Sequence, residues 1–264
     1  MAILPSAQTA FRILNLVSHQ RRTYTQTAMT ADTAMQTYYA ARAAEYDRIY
    51  QKPERQGDLR AIEAWLPPHF AGKNVVEVAC GTGYWTQFIA PVARHVVAVD
   101  AAPETMEIAK TRGGMGAVQF VTGDAYALQA APAVAGLAEG AEGAGGAEGA
   151  RQFDAAFAGF WYSHVPKARQ PAFLKGLCSV LKPGSKVLLL DNRFVAGSSS
   201  PISDTDADGN TYQTRPLDDG SSHRVLKNFP TDAELLASVA SLGEQARVTQ
   251  WPYFWALVFK TRTF

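Results

Sequence analysis

The sequence predicts an α/β fold built on one doubly wound, mostly parallel sheet. Five short apolar runs alternate with segments of helical character, which is the order of elements in such sheets. A glycine-containing turn follows the first run, where this kind of sheet binds its ligand. A chain of 264 residues with 47% hydrophobic residues can bury the core of one large domain, so no second domain is required.

The five apolar runs have the composition of strands buried on both faces, since Val, Leu, Ala and Phe dominate them. They are VVEVAC (75–80), HVVAVD (95–100), VQFVTGD (118–124), FDAAFAG (153–159) and KVLLLDN (186–192). Helices are predicted after the first, second and fourth runs. Pro103 and Pro166 suit first-turn positions, where a missing N–H leaves no bond unmade, and Gly113 suits a helix end.

Two insertions are predicted within this domain of residues 36–264. Residues 129–151 form an Ala/Gly/Glu tract without apolar periodicity, which indicates a flexible loop before the fourth strand. Residues 205–230 contain Asp218-Asp219-Gly220 between two β-like segments, which indicates a hairpin after the fifth strand.

The C-terminal part is predicted to add a helix and two strands. Thr231 and Glu234 form a capping box at the start of DAELLASVA. ARVTQWPYFWALVFK then reads as two strands interrupted at Pro252, which we expect to pair antiparallel at the sheet edge. The sheet would thus have seven strands, with an antiparallel strand at its C-terminal edge.

Composition favours a small-molecule partner. The formal net charge is +1, which gives no long-range field for nucleic acid or an acidic membrane, and no apolar run approaches the roughly 20 residues of a membrane span. Cys80 and Cys178 lie in apolar runs and are expected to be buried free thiols, without the spacing of a zinc site. We expect a cytoplasmic monomer or homodimer.

The first 31 residues contain no acidic residue but carry Arg12, Arg21 and Arg22. This composition is similar to that of a transit peptide, and equally to upstream sequence read from too early a start, since Met29 and Met35 follow. A poorly ordered extension over residues 1–35 is the third interpretation, and the sequence leaves all three open.

The turn after the first run predicts a cofactor site for a cationic ligand. Gly81 and Gly83 let the backbone turn sharply at the carboxyl edge of the sheet. A dinucleotide fingerprint needs a third glycine where Thr86 stands, and no lysine follows as in a P-loop. Glu77 would repel a pyrophosphate and attract an ammonium group; its structural alternative is an acid that binds nearby N–H groups.

Two further carboxylates end the next two strands. Asp100 follows the second strand and can accept hydrogen bonds from ribose hydroxyls, or it can cap the helix PETMEIAK. Asp124 ends the third strand and can accept from an adenine amino group, or it can be a turn residue. Because Glu77, Asp100 and Asp124 end three successive strands, they are expected to face one crevice.

These motifs resemble those of class I S-adenosylmethionine-dependent methyltransferases, which have a Rossmann-like sheet. The resemblance covers VVEVACGTGYWTQFIAP, VVAVDAAPETMEIAK, VTGDAY, FDAAFAGFWYSHVP and LKPGSKVLLLDNRF, and YYAARAAEYDRIY is similar to the N-terminal helical cap of small-molecule members. It implies S-adenosylmethionine as cofactor. The binding residues that it implies are Tyr46, Glu77, Ala79, Gly81, Thr82, Gly83, Asp100, Ala101, Asp124, Ala125 and Phe160.

The same resemblance implies that residues after the fourth strand lie beside the reacting methyl group. His164 is the first candidate for a general base, with Tyr162 and His223 as further candidates; the alternative for each is a packing role. Asp191-Asn192 resembles the metal-ligand pair of catechol O-methyltransferase, but no second acid ends the fourth strand, so no metal is expected.

The expected activity is methyl transfer to an O or N atom of a small molecule. A nicotinamide-dependent oxidoreductase and a non-catalytic S-adenosylmethionine-binding protein remain as alternatives. The aromatic side chains near the expected site favour a planar or apolar acceptor; they are Phe160, Trp161, Tyr162, Phe194 and Tyr212.

Overall fold

The structure, a computed structural model, describes residues 38–39, 42–131, 134 and 152–262. Its strands in this part of the chain are β1 (Asn74–Val78), β2 (His95–Asp100), β3 (Val118–Thr122), β4 (Phe153–Gly159), β5 (Leu181–Asn192), β6 (Asp204–Thr205), β7 (Thr211–Pro216), β8 (Ser222–Leu226), β9 (Gly243–Gln250) and β10 (Phe254–Thr261). Seven of them form one sheet in the order β3-β2-β1-β4-β5-β10-β9. The first five of that order are parallel, which confirms the predicted α/β sheet.

Helices cover both faces of this sheet, as the sequence predicts for a doubly wound fold. They are α1 (Gln56–Trp65), α2 (Thr86–Ile89), α3 (Pro103–Lys110), α4 (Gln170–Ser179) and α5 (Asp232–Val239). Leu59 of α1 and Met106 of α3 pack in the apolar cluster on one face. Leu177 of α4 and Leu235 of α5 pack in the cluster on the other.

The C-terminal strand is antiparallel, as predicted. β10 pairs antiparallel with β5 on one side and with β9 on the other, so β9 forms the outer edge. The helix before β9 begins with the predicted capping box, in which the Thr231 hydroxyl accepts from the Glu234 N–H and the Glu234 carboxylate accepts from the Thr231 N–H.

Two helices differ in extent from the sequence expectation. α2 has only four residues, because Pro91 has no N–H with which to continue the helical hydrogen bonds beyond Ala90. α4 begins at Gln170, so Pro171 rather than Pro166 occupies its first turn. Pro166 has extended backbone and precedes a short 3₁₀ turn.

A second sheet and an N-terminal 3₁₀ helix lie over the carboxyl ends of the parallel strands. The sheet has the order β6-β7-β8 and includes the predicted hairpin at Asp218–Gly220. Arg48 of the 3₁₀ helix Ala43–Tyr50 donates to both carboxylate oxygens of Asp218, at 2.9 and 2.6 Å. The Asn228 N–H donates to the Ser163 carbonyl at 2.8 Å, which fastens the small sheet to the segment after β4.

The predicted N-terminal extension of residues 1–35 lies outside the described residues, as does nearly all of the 129–151 tract. Among the described helices, none combines the length and apolar character needed to cross a bilayer.

Candidate active site

The loop that follows β1 adopts the left-handed backbone that its glycines permit. Ala79, Gly81 and Gly83 have φ values of 54°, 54° and 73°. A Cβ on Gly81 would meet no atom within 4 Å, whereas one on Gly83 would lie 2.8 Å from the Cβ of Ala109. Gly81 therefore leaves space for a ligand, and Gly83 lets α3 pack closely against the loop.

Asp100 holds this loop in place. Its Oδ2 accepts from the Gly81 N–H and its Oδ1 accepts from the Ala102 N–H, both at 2.8 Å. Burial raises the pKa of the Asp100 carboxyl. The N-cap of α3 is Ala102 and has no side-chain cap bond, so Asp100 fixes the turn before α3 and does not cap the helix. Asp100 also lines the adjoining cavity.

That cavity, which we name the edge cavity, lies at the carboxyl edge of the sheet and has a volume of about 140 Å³. It brings together most of the predicted cofactor residues. Those lining it are Tyr46, Ala79, Gly81, Asp100, Ala101, Asp124, Ala125 and Phe160. Asp124 points its Oδ1 at the Tyr126 N–H, 2.8 Å away, so it is also the turn residue that the sequence allowed.

Glu77 is a buried carboxyl in β1 that does not line the edge cavity. The residue is 2% exposed, and its Oε2 has no hydrogen-bond partner among the described residues. Burial, with a contribution from Asp100, raises the pKa of the Glu77 carboxyl to about 8. A buried carboxyl with an unused oxygen fits an ammonium ligand, which would favour its charged form.

Thr82 does not line the edge cavity, and its predicted contact with the cofactor stays a prediction. Its buried hydroxyl donates to Asp47 Oδ1 at 2.6 Å, and its carbonyl accepts from Arg112 Nε at 2.5 Å. Arg112 also pairs with Asp47. The three side chains therefore tie the N-terminal 3₁₀ helix to the loop after β1.

A second cavity of about 220 Å³ adjoins the first. We name it the cationic cavity, because five basic residues line it; they are Arg42, Lys52, Arg55, Arg215 and Lys227. Tyr39, Tyr46, Phe160 and His164 line both cavities and form their shared wall. Ligands bound in the two cavities would meet at this wall.

The sequence did not reveal the basic lining. Its members are scattered over the N-terminal segment, β7 and the end of β8, and no local motif connects them. One signal was available, since Gln213 and Arg215 are two residues apart on β7 and must share a face. Of the five aromatic residues that suggested a planar or apolar acceptor, only Phe160 is in the lining of this cavity, and the acceptor class stays a prediction.

His164 is 4% exposed and has a defined tautomer. Its Nδ1 lies 2.6 Å from the Leu226 carbonyl, which can only accept, so Nδ1 carries the hydrogen. Nε2 is then free to accept from the Tyr39 hydroxyl at 3.0 Å. Burial, followed by Lys227 and Arg215, lowers the pKa of His164 well below its usual value, so the ring is neutral near pH 7.

The other two predicted catalytic residues, Tyr162 and His223, lie outside the lining of both cavities. Tyr162 packs against Phe173 and Trp255, and its hydroxyl donates to Gln170 Oε1 at 3.2 Å. His223 lies on β8, with Nε2 2.9 Å from the Ser221 hydroxyl. The ring of Tyr162 is a core side chain. His223 pairs with Arg215 across β8 and β7, on the same face of the small sheet, and its ring packs against Tyr38. Neither lines the edge or the cationic cavity, and the catalytic role of each stays a prediction.

Asp191, whose position in the sequence resembles that of a metal ligand, forms an ion pair with Lys227. Asp191 is fully buried and accepts from Lys227 Nζ at 2.6 Å and from the Ser163 N–H at 3.0 Å. Asn192 accepts from Arg55 at 2.8 Å. In the described part of the chain, no three His, Cys, Asp or Glu side chains cluster as a metal site would require.

Comparisons with known proteins agree with this geometry. A family model described as a methyltransferase domain matches residues 46–253. The chain is 31% identical over 188 residues to the ubiquinone biosynthesis O-methyltransferase of Xanthomonas axonopodis pv. citri (strain 306), an alignment that covers 71% of this chain and 68% of the relative. It is 27% identical over 229 residues to the enzyme of the same name from Xylella fastidiosa (strain 9a5c), covering 76% and 82%.

The chain is also similar to solved structures of proteins bound to SAM or SAH and of a methyltransferase. A DhpI–SAH complex is 28% identical with a TM-score of 0.67, covering 89% of this chain and 98% of the other. A DhpI–SAM–HEP complex is also 28% identical, with a TM-score of 0.66 and coverage of 87% and 97%. The 1,6-didemethyltoxoflavin-N1-methyltransferase of Burkholderia thailandensis shares the fold at 14% identity, with a TM-score of 0.54 and coverage of 89% and 90%.

Proposed function

The chain belongs to the class I S-adenosylmethionine-dependent methyltransferases, and we propose that it transfers the methyl group to an oxygen atom of a small molecule bound in the cationic cavity. The observation that carries this proposal is the wall of Tyr39, Tyr46, Phe160 and His164, which both cavities share. A donor in one cavity and an acceptor in the other would be held in contact, and such positioning is the main contribution an enzyme makes to this reaction. The relatives named O-methyltransferases support oxygen as the acceptor atom.

Three carboxylates would each serve one part of the donor: Asp100 and Asp124 in the lining of the edge cavity, and Glu77 in the strand behind it. Glu77 Oε2 would accept from the methionine ammonium, Asp100 from the ribose hydroxyls and Asp124 from the adenine amino group. S-adenosylmethionine supplies a sulfonium methyl group: the acceptor oxygen forms the new C–O bond with a lone pair while the C–S bond breaks and its electron pair stays on sulfur. Phe160, Trp161 and Tyr46 line this cavity with aromatic rings, which would limit the access of water to a bound donor.

His164 and Tyr39 would take up the proton when the acceptor is a hydroxyl. Nε2 of the neutral His164 ring already accepts from the Tyr39 hydroxyl. An acceptor hydroxyl bonded to Tyr39 can therefore pass its proton to the Tyr39 oxygen as Tyr39 gives its own proton to Nε2. An acceptor oxygen that is already anionic needs no such transfer, and for it the two residues only position the acceptor.

The proposal includes a small-molecule acceptor without nucleic-acid or membrane partners, no catalytic metal, and a monomer or homodimer in the cytoplasm. A net charge of +1 supports the first of these. Light scattering of the purified chain would give its oligomeric state, and fractionation of cells would give its location.

Two measurements test the function. Titration calorimetry should show S-adenosylmethionine and S-adenosylhomocysteine binding with micromolar affinity and NAD not binding. A ¹³C-methyl-labelled donor incubated with panels of hydroxy acids, phenols and amines should give an O-methyl carbon signal in NMR spectra. Binding of NAD without binding of S-adenosylhomocysteine would remove the methyltransferase assignment, and an N-methyl product alone would overturn oxygen as the acceptor atom.

A further inference from the structure

The cationic cavity carries more positive charge than the described residues around it neutralise. Of the five basic side chains that line it, only Lys227 forms an ion pair with a described residue, through Asp191 Oδ1 at 2.6 Å. No Asp or Glu is among its described lining residues. Glu54, which is exposed and bonds to the Ser198 hydroxyl, acts on Lys52 and Arg55 only through space, and Asp58 acts on Arg55 in the same way.

The remaining cations are held by neutral groups. Arg215 Nη2 donates to Gln213 Oε1 at 2.7 Å, and Arg42 Nη1 donates to the Tyr38 hydroxyl at 2.9 Å. Lys52 donates to the Ser198 carbonyl. These contacts position the side chains and leave their charge uncompensated, so each retains the capacity to bind an anion.

Burial and neighbouring cations lower the pKa of both lysines that line the cavity. Burial and then Arg55 lower the pKa of Lys52. Burial lowers the pKa of Lys227 to about 8, with Arg215 and Arg55 contributing and Asp191 opposing. Like charges gathered in a partly buried site destabilise one another unless an anion joins them, and such arrangements are found where a charged ligand binds.

The arrangement of the lining is suited to an oxyanion. Arg42, Lys52 and Arg55 approach from the N-terminal segment, and Arg215 approaches from β7. Guanidinium groups bind the paired oxygens of carboxyl and phosphoryl groups with two parallel hydrogen bonds. Ser198, Ser199 and Ser200 add hydroxyl and backbone groups to the same cavity, and its volume of about 220 Å³ admits only a small molecule.

We propose that the methyl acceptor is a small organic acid whose oxyanion is bound by Arg215, Arg42 and Lys52, with its acceptor oxygen at the wall beside His164 and Tyr39. The inference rests on the proposed function and adds the substrate class to it. Because Arg42, Lys52, Arg55 and Arg215 exceed the charge of one carboxylate, a doubly charged phosphoryl-type group is expected to bind more tightly than a carboxylate.

The test is equilibrium binding of simple anions, which requires no knowledge of the substrate. Inorganic phosphate, sulfate and acetate are titrated separately into the chain, with and without saturating S-adenosylhomocysteine. Arg215→Gln and Lys52→Met remove a lining charge, and Arg215→Lys keeps it. Lys175→Gln is the matched control, because Lys175 is an exposed residue of α4, which packs on the opposite face of the sheet from α1.

The expected result is saturable binding of phosphate, weakened by about 10-fold or more in Arg215→Gln and Lys52→Met and unchanged in Lys175→Gln. The phosphate affinity of Arg215→Lys should lie between those of Arg215→Gln and the wild type, since lysine keeps the charge but lacks the paired N–H donors of the guanidinium. Saturable binding of acetate in preference to phosphate would support the proposed oxyanion site and indicate that the acceptor binds there through a carboxylate.

Absence of saturable binding for all three anions would overturn the proposal, and so would equal weakening in Lys175→Gln. S-adenosylhomocysteine affinity and melting temperature, measured for every variant, separate the possible failures. If S-adenosylhomocysteine binds and the anions do not, only the substrate class is wrong. If S-adenosylhomocysteine does not bind the wild-type chain, the proposed function fails, and the titration without it still decides whether the cavity binds anions.

Discussion

His164 connects the two cavities at the scale of a single residue. Its Nδ1 is committed to the Leu226 carbonyl, which leaves only Nε2 for proton transfer. For a hydroxyl acceptor, His164→Ala should lower kcat by about 10²–10⁴-fold, because a positioned base contributes that much. Tyr39→Phe should give part of the same loss, since it removes the proposed relay. Steady-state kinetics with an identified acceptor measures both.

The pH profile checks the lowered pKa of His164, and the kcat of His164→Ala separates a base from a packing residue. The pKa of His164 is lowered, so the ring stays neutral through the range in which an ordinary histidine gains its proton, near 6.5. The rate of the wild-type enzyme should therefore show no falling limb near pH 6.5. S-adenosylhomocysteine affinity should be equal in His164→Ala and wild type. Equal kcat values for the two proteins with a hydroxyl acceptor would exclude the base role.

Asp100 should reveal its two roles through two substitutions. Asp100→Asn keeps a neutral acceptor for one of the two backbone N–H groups, whereas Asp100→Ala leaves both Gly81 and Ala102 without their partner. Both variants should bind S-adenosylhomocysteine more weakly by about 1.5–3 kcal/mol, the range for hydrogen bonds to a charged group. Only Asp100→Ala should also have a clearly lower Tm, measured by scanning calorimetry. Unchanged affinity in both would leave Asp100 with its structural role alone.

At the scale of elements, the loop after β1 contains two glycines with different tasks. Both have positive φ, but only a Cβ at position 83 would collide with α3. Gly81→Ala should destabilise the fold by about 1 kcal/mol, the typical strain of left-handed backbone. Gly83→Ala should add overpacking of about 1–3 kcal/mol to that strain.

Chemical denaturation of the two glycine variants measures these differences directly. Gly81→Ala should lower S-adenosylhomocysteine affinity more than stability, because Gly81 lines the edge cavity and Gly83 does not. Equal destabilisation by the two substitutions would contradict the close approach of α3 to Gly83.

The same elements show what the sequence could predict. The parallel strands β1 to β5 appear in it as continuous apolar runs, and the capping box of α5 as a local pair, Thr231 and Glu234. The residues of the edge cavity follow successive strands, so chain order alone places them together. Site geometry determined by local motifs and parallel connections was therefore predictable.

The cationic cavity was not predictable, because its lining depends on tertiary contacts. Arg42 and Arg215 are far apart in the chain and meet only because Arg48 and Tyr38 hold the N-terminal segment on the small sheet. Among the histidines, position after a strand favoured His164 correctly as a lining residue, but nothing local distinguished His223, whose orientation depends on the register of β7 with β8. Which of these residues line the cavity is determined by the tertiary structure.

At the scale of the whole molecule, ligand binding should stabilise the entire fold. The edge cavity is lined by residues from the loop after β1, the ends of β2, β3 and β4, and the N-terminal 3₁₀ helix, and Asp47 and Arg112 tie that helix to the loop. A ligand that contacts all of them binds the folded chain and has no site on the unfolded one. S-adenosylhomocysteine at about 100 times its Kd should therefore add roughly 2.7 kcal/mol to the free energy of unfolding. For a chain of 264 residues this corresponds to a rise of about 5–10 °C in Tm.

Scanning calorimetry with a ligand series tests this coupling, with Glu77→Gln as the informative variant. NAD at the same concentration should leave Tm unchanged, because the described lining of the edge cavity has two carboxylates, Asp100 and Asp124, and no Lys or Arg to pair with a pyrophosphate. In Glu77→Gln the buried carboxyl and its desolvation are removed, so the unliganded protein should keep or raise its Tm. The rise caused by S-adenosylhomocysteine should shrink in the same variant, since the amide cannot neutralise an ammonium. An undiminished rise would mean that Glu77 is a structural acid and that the cation of the ligand is bound elsewhere.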